Sequence, residues 1–143
     1  MTLLEREPLL EVLAARLRGA AAGAGQIALV YGEAGIGKTA LVDCFTGERA
    51  RPGRVLRGAC DSLLTPRPLG PVHDIARHAG PALRALLEAG APPSVLFPAV
   101  LDECGRQPPV IAVLEDLHCA DEATLDLVKF LGRRITMFLR CSC

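Results

Sequence analysis

Aromatic residues are scarce: four Phe, one Tyr and no Trp in 143 residues. That excludes a surface that stacks nucleobases on rings as the main binding mode. Net charge is missing as well. Sixteen basic residues balance sixteen acidic ones, which excludes a polybasic nucleic-acid arm or an acidic tail and predicts poor solubility near neutral pH. Lysine occurs twice against fourteen arginines, a bias read here as genome composition. No apolar run approaches the ~18 residues of a membrane helix. Residues 1–10 carry Glu5, Arg6, Glu7 and Pro8 and do not read as a signal peptide, so a cytoplasmic location is expected. The six cysteines (Cys44, Cys60, Cys104, Cys119, Cys141, Cys143) contain no C-x-x-C pair. Neither a disulfide framework nor a zinc site is expected from that spacing. They read as small buried or half-buried thiols, with Cys141 and Cys143 open to oxidation at the terminus.

What the chain has is apolar substance. Half of its residues are hydrophobic and 22% are charged, against wholesale disorder. The length suits one domain, which can bury roughly 70% of its unfolded surface. Leu9, Leu10, Leu13 and Leu17 recur at helical spacing, with Pro8 near the first turn, and predict a helix over 7–18. The small-residue loop 19–25 follows. Ile27-Ala28-Leu29-Val30-Tyr31 is a short apolar run between glycines and predicts a strand buried on both faces. A helix is expected over about 37–49, a second strand over 54–58 and an extended proline-rich loop over 62–71. Helical pieces are expected at about 71–79, 81–89 and 93–106, divided by Gly80-Pro81 and Gly90 to Pro93. After Pro108-Pro109, residues 110–114 (VIAVL) predict a third strand. A last helix is expected over about 121–134 with Asp121 as its N-cap. Residues 135–141 could form a short fourth strand. Alternating strands and helices imply an α/β fold around a parallel sheet with right-handed crossovers.

Two stretches carry chemistry. Gly32-Glu33-Ala34-Gly35-Ile36-Gly37-Lys38-Thr39 fits G-x-x-x-x-G-K-[ST] at every position. Such glycines let backbone N–H groups turn inward as an anion nest, and a helix start adds partial positive charge. Lys38 is a mobile charge for β- and γ-phosphates; Thr39 offers a hydroxyl to Mg²⁺. Ala40 completes the candidate nucleotide-contacting set. A chance glycine-rich turn is the bland alternative, but the apolar strand before it and the helix after it supply the required context. The second stretch is Glu115-Asp116, two carboxylates leaving the carboxyl end of a strand, where ligands of open α/β sheets bind. One can hold Mg²⁺ and the other polarise a water; the bland alternative is an acidic loop start. Which acid takes the metal stays open. His118 could sense phosphate, orient an acid or be a structural loop residue, while His73 and His78 read as surface or packing residues.

Taken together, these pieces resemble the N-terminal part of the AAA-type ATP-binding domain of large LuxR-type transcriptional regulators, a STAND branch of P-loop NTPases related to Orc-like AAA modules. The resemblance rests on Leu4-Glu5-Arg6-Glu7, GEAGIGKT at 32–39, Gly58-Ala59-Cys60-Asp61, TPRPLGP at 65–71 and LEDLHCAD at 114–121. It implies a three-layer αβα P-loop fold, ATP and Mg²⁺ as ligands, and a Walker A and Walker B pair in the two stretches above. It also implies that the segment matching Leu3 to Glu7 lies near the adenine. The chain departs from the family at Glu115, where Asp is usual, and at Cys119, where Trp is common.

The pattern stops after Arg134. The expected organisation is a single partial domain: helix and loop in 1–25, nucleotide-binding core in 26–134, atypical tail in 135–143. The family's next strand lies between the two motif strands, so its loss would leave a gap or an open edge, unless 135–139 fills it. A truncated or frame-shifted product is the expectation. Three functional classes follow: an Mg²⁺-ATP-binding module that hydrolyses ATP, a nucleotide-dependent regulatory switch without turnover, and an inactive fragment. Partners implied are the nucleotide, self-association or other regulator domains, with neither direct nucleic-acid binding nor membrane contact. No guanine-reading N-K-x-D motif is present.

Overall fold

The computed structural model describes residues 6–33, 35–49, 53–61, 67–106 and 109–141. Helix α1 spans Glu7–Ala21, longer than expected. Pro8 in its first turn, Glu7 at its start and Arg18 in its last turn suit the helix dipole. Its buried stripe is Leu10 with Leu13, Ala14 and Leu17, packed on Leu41 and Phe45; Leu9 turns to solvent. Helix α2, Lys38–Cys44, continues as a π-helical turn over Phe45–Arg49. There the Thr46 hydroxyl donates to the carbonyl of Val42 at 2.8 Å, a side-chain bond that competes with regular helix at the site of widening.

Strand β1, Arg54–Ala59, pairs in parallel with β2, Val110–Glu115. The register sets Arg54 opposite Val110 and Ala59 opposite Glu115. Parallel neighbours need a long crossover. It is made by α3 (Gly70–Ala76), α4 (Pro81–Glu88) and α5 (Pro93–Cys104). The prolines at 71, 81 and 93 sit in first turns, where a missing N–H costs nothing. Helix α3 crosses β1 so closely that a β-carbon at Gly58 would overlap backbone atoms of Pro71. The main core collects Leu56, Val72, Ile75, Leu83, Leu96, Phe97, Val100 and Leu127. Phe97 and Phe130 rings stack obliquely at 5.7 Å. Glu103, 3% exposed, is a polar pin in this core. Its carboxylate accepts from Arg54 and, at 3.2 Å, from the Gly80 N–H, and pairs with Arg106 at 3.3 Å.

The expected strand over 27–31 is not in the sheet, which has two strands among the described residues. The segment carries no regular secondary structure, and Ile27, Leu29 and Tyr31 are 52%, 71% and 84% exposed. Only Val30 packs inward, against the Leu10–Leu41–Phe45 cluster that also takes Ile111 of β2. An apolar run becomes a strand by pairing its N–H and C=O groups with a neighbour. The expected neighbour, 135–141, is also corrected: those residues extend α6, which spans Glu122–Cys141. Nothing in 133–141 breaks a helix, and a helix satisfies its backbone within itself. Helix α6 runs beside the orphaned segment instead of completing the sheet: Gly132 faces Ile27, and Ile135 lies against Gly25. The fold is α/β with a parallel sheet of two strands among the described residues, smaller than the sheet of the three-layer αβα fold that the resemblance implies.

Candidate functional site

The loop between the extended segment and α2 is where the sequence concentrates glycine. Gly35 and Gly37 have φ of +80° and +89°. The Arg6 guanidinium lies directly against Gly37. That guanidinium donates to the carbonyls of Ile36 and Gly37. Lys38 turns back over its own loop, its Nζ donating at 2.8 Å to each of the Gly32 and Glu33 carbonyls. The Ile36 N–H closes on the Glu33 carbonyl at 3.3 Å. Two cations therefore fasten loop carbonyls. Glu33 and Ile36 are exposed, and so are Thr39 and Ala40 in the first turn of α2. Ala34 lies outside the described residues, as do Leu3 to Glu5 and the first two residues of the 65–71 segment.

Glu115 ends β2 and Asp116 follows in the left-handed region at φ +57°. Arg57 reaches Glu115 at 3.5 Å, Asp43 at 2.7 Å and the Thr46 hydroxyl at 2.9 Å. The register explains the first contact: Arg57 lies two residues before Ala59, the partner of Glu115, and so on the same face. One side chain thus joins the helix after the glycine loop to the carboxylate at the strand end. Asp116 is exposed, and a single 3-10 turn, Leu117–Cys119, carries the exposed His118. Asp121 caps α6, as expected, by accepting from the Thr124 N–H at 3.1 Å and from the Thr124 hydroxyl. It also accepts from the N–H of Leu69 at 3.3 Å. Burial pulls its carboxyl pKa upward, but these hydrogen bonds outweigh burial and hold it below the ordinary 3.8.

Beside this turn lies a cavity of about 150 Å³ at the carboxyl end of β1, lined by Cys60, His73, Asp74, Cys119 and Asp121, with Arg67 and Arg77 at its edge. Asp74 accepts from the Ala59 N–H at 3.2 Å. Desolvation, and then the positive charge of Arg67, lower the His73 pKa from 6.5. Burial is the main cause that raises the Cys60 thiol, and Asp121, Cys119 and Asp116 push the same way. Among the described residues no three His, Cys, Asp or Glu side chains form a metal cage.

A family model described as the AAA ATPase domain matches residues 2–141. The chain belongs to the AAA ATPase domain family. No curated protein and no solved structure matched it. Nucleotide binding is the property the family brings, with ATP hydrolysis as its usual chemistry, and AAA membership makes the α/β fold a P-loop NTPase fold. Among the described residues no helix is long and apolar enough to cross a membrane.

The sequence reading singled out the glycine loop and the Glu115-Asp116 pair of this AAA domain. It missed Arg57, whose contacts depend on strand pairing that no local pattern discloses. Arg6 was noted only as part of a segment implied to lie near the adenine, whereas its guanidinium sits on the glycine loop. His73, read as a surface or packing residue, lines the cavity.

Proposed function

We propose that this AAA domain binds Mg²⁺-ATP, with Gly32 to Ala40 around the phosphates. The observation that carries it is the glycine loop fastened through its carbonyls by Lys38 and Arg6. Lys38 opens α2 directly after the loop and carries a flexible four-carbon stem, so exchanging two carbonyl oxygens for phosphate oxygens needs only side-chain rotation. Thr39, Glu115 and Asp116 supply hard oxygen donors, which fit Mg²⁺ held partly by phosphates and water rather than by a protein cage. Mg²⁺ would neutralise developing charge on the phosphates, and the second carboxylate would orient the attacking water. The finer likeness, to the ATPase domain of LuxR-type regulators and their Orc-like and STAND relatives, rests on the motif set in 4–7, 58–61, 65–71 and 114–121. In that reading the domain's partners are other regulator domains or a second copy, in the cytoplasm.

Arg57 favours a second reading, a switch that binds nucleotide without turnover. Glu115 is paired to a cation that also holds Asp43 and Thr46, so the carboxylate is engaged before any ligand arrives. Titration with a fluorescent ATP analogue, with and without Mg²⁺, tests binding. Saturable, Mg²⁺-dependent binding that drops at least tenfold in Lys38→Ala is expected, and equal binding by a folded Lys38→Ala chain would refute the site. Steady-state phosphate release separates the two readings. A chain that binds but is silent until Arg57→Gln frees Glu115 is the switch. Turnover by the unaltered chain is the ATPase.

A further inference from the structure

Cys60 follows the end of β1, Cys119 ends the 3-10 turn after β2, and both line one cavity. The ladder explains how two residues about 60 positions apart meet. Ala59 is opposite Glu115, and the Cys60 N–H continues the ladder by donating to the Glu115 carbonyl at 3.0 Å. Cys60 therefore stands about 5 Å from Asp116, the spacing of adjacent strands. From Asp116 the chain makes one 3-10 turn, closed by the Cys119 N–H donating to the Asp116 carbonyl at 2.8 Å. Three residues of such a turn advance about 6 Å. Each cysteine thus lies within about 6 Å of the Asp116 backbone, and both line the same cavity of about 150 Å³, a placement from which a disulfide span can be reached.

We propose that Cys60 and Cys119 form a reversible disulfide, a modification site whose reactant is a small disulfide oxidant. Cys119, half-buried, meets the oxidant first. Its sulfur attacks one sulfur of the reagent, forming a mixed disulfide and expelling a thiolate. Cys60, buried behind it, attacks the Cys119 sulfur, forming the protein S–S bond and expelling the second thiolate. Two protein thiols are oxidised by two electrons, and one small disulfide is reduced to two thiols. The bond would tie the end of β1 to the turn that carries Asp116 and His118, so the position of that carboxylate becomes sensitive to thiol oxidation. The other described thiols are placed differently. Cys104 ends α5 and does not line this cavity. Cys44 donates to Glu48 at 3.6 Å on another helix.

The test uses the full chain carrying Cys141→Ser and Cys143→Ser, so that the terminal thiols cannot compete. The chain is treated with excess oxidised glutathione, alkylated, digested and mapped by mass spectrometry. The expected product is a peptide pair joining Cys60 to Cys119, lost on reduction, with Cys44 and Cys104 still alkylatable. Closing a loop this long should raise Tm by about 10 °C, reversed by dithiothreitol. Cys119→Ser, at a half-buried position, should keep the fold and abolish both signals. Glutathione remaining on Cys119 alone, Cys60 paired with any other cysteine, or both thiols still free would each overturn the proposal.

Discussion

Glu103 offers the sharpest test of how the crossover is held to the sheet. Its carboxylate is 3% exposed and has three partners: Arg54 at the start of β1, Arg106 after α5 and the Gly80 N–H before α4. Glu103→Gln keeps the volume and removes the charge. An amide oxygen can still accept one bond, but its NH₂ then faces guanidinium donors. Removing one member of a fully buried pair costs 3–5 kcal/mol, because a charge is stranded. Here the stranded arginines are 40% and 54% exposed and can rehydrate, so that figure is a ceiling. Losing charge-assisted bonds to one buried acceptor leaves roughly 2–3 kcal/mol. In a chain of this length the loss corresponds to a Tm lower by about 8 °C. Urea unfolding should show a lower midpoint at unchanged slope. Arg106→Ala, which removes only the more exposed partner, should cost under about 1 kcal/mol. If Glu103→Gln stays within about 0.5 kcal/mol of the parent, the idea that this carboxylate pins three elements is wrong.

Gly58→Ala should cost more than about 3 kcal/mol or prevent folding, since the added carbon meets Pro71 backbone rather than a side chain that can turn away; circular dichroism melting reads this, and a near-neutral variant would mean α3 does not cross β1 as closely. Asp121→Ala should cost about 1–2 kcal/mol at pH 7 through the lost cap. Because the folded pKa of Asp121 lies below 3.8, its share is present above that pH and lost as pH falls through the folded value. Acid unfolding curves of parent and variant should therefore converge as the pH falls below 3.8; a constant gap would contradict the assignment. His73 should titrate below 6.5 by NMR, with burial and Arg67 as the causes.

Elements whose stability is local were legible in the sequence. The prolines at 71, 81 and 93 mark three helix starts, Asp121 marks a fourth, and VIAVL at 110–114 falls in a strand. The glycine loop was legible because a tight turn needs glycine, and Gly35 and Gly37 take φ of +80° and +89°. Pairing was not. IALVY at 27–31 has the composition of a central strand, yet composition cannot supply a neighbour, and the run stays outside the sheet. The 135–141 stretch reads as β by its Ile, Thr and Phe, but with no sheet edge taken, the helix already running from Glu122 absorbs it. Arg57 illustrates the same limit for the site: its partners Asp43, Thr46 and Glu115 lie 14, 11 and 58 residues away along the chain.

The two hydrophobic clusters have a thermodynamic consequence for any ligand of this AAA domain. The glycine loop leads into α2, which belongs to the small Leu10–Leu41–Phe45 cluster, whereas β2 places its strand-end carboxylates beside the larger core around Leu56 and Val72. Ile111 of β2, the Arg57 contacts to Asp43 and Glu115, and the approach of α6 to Ile27 and Gly25 are among the links between the two clusters. A molecule that touches loop and carboxylates together would act as a rivet between the two clusters. Its binding energy would stabilise both at once, by about 2.7 kcal/mol at a ligand concentration 100 times Kd.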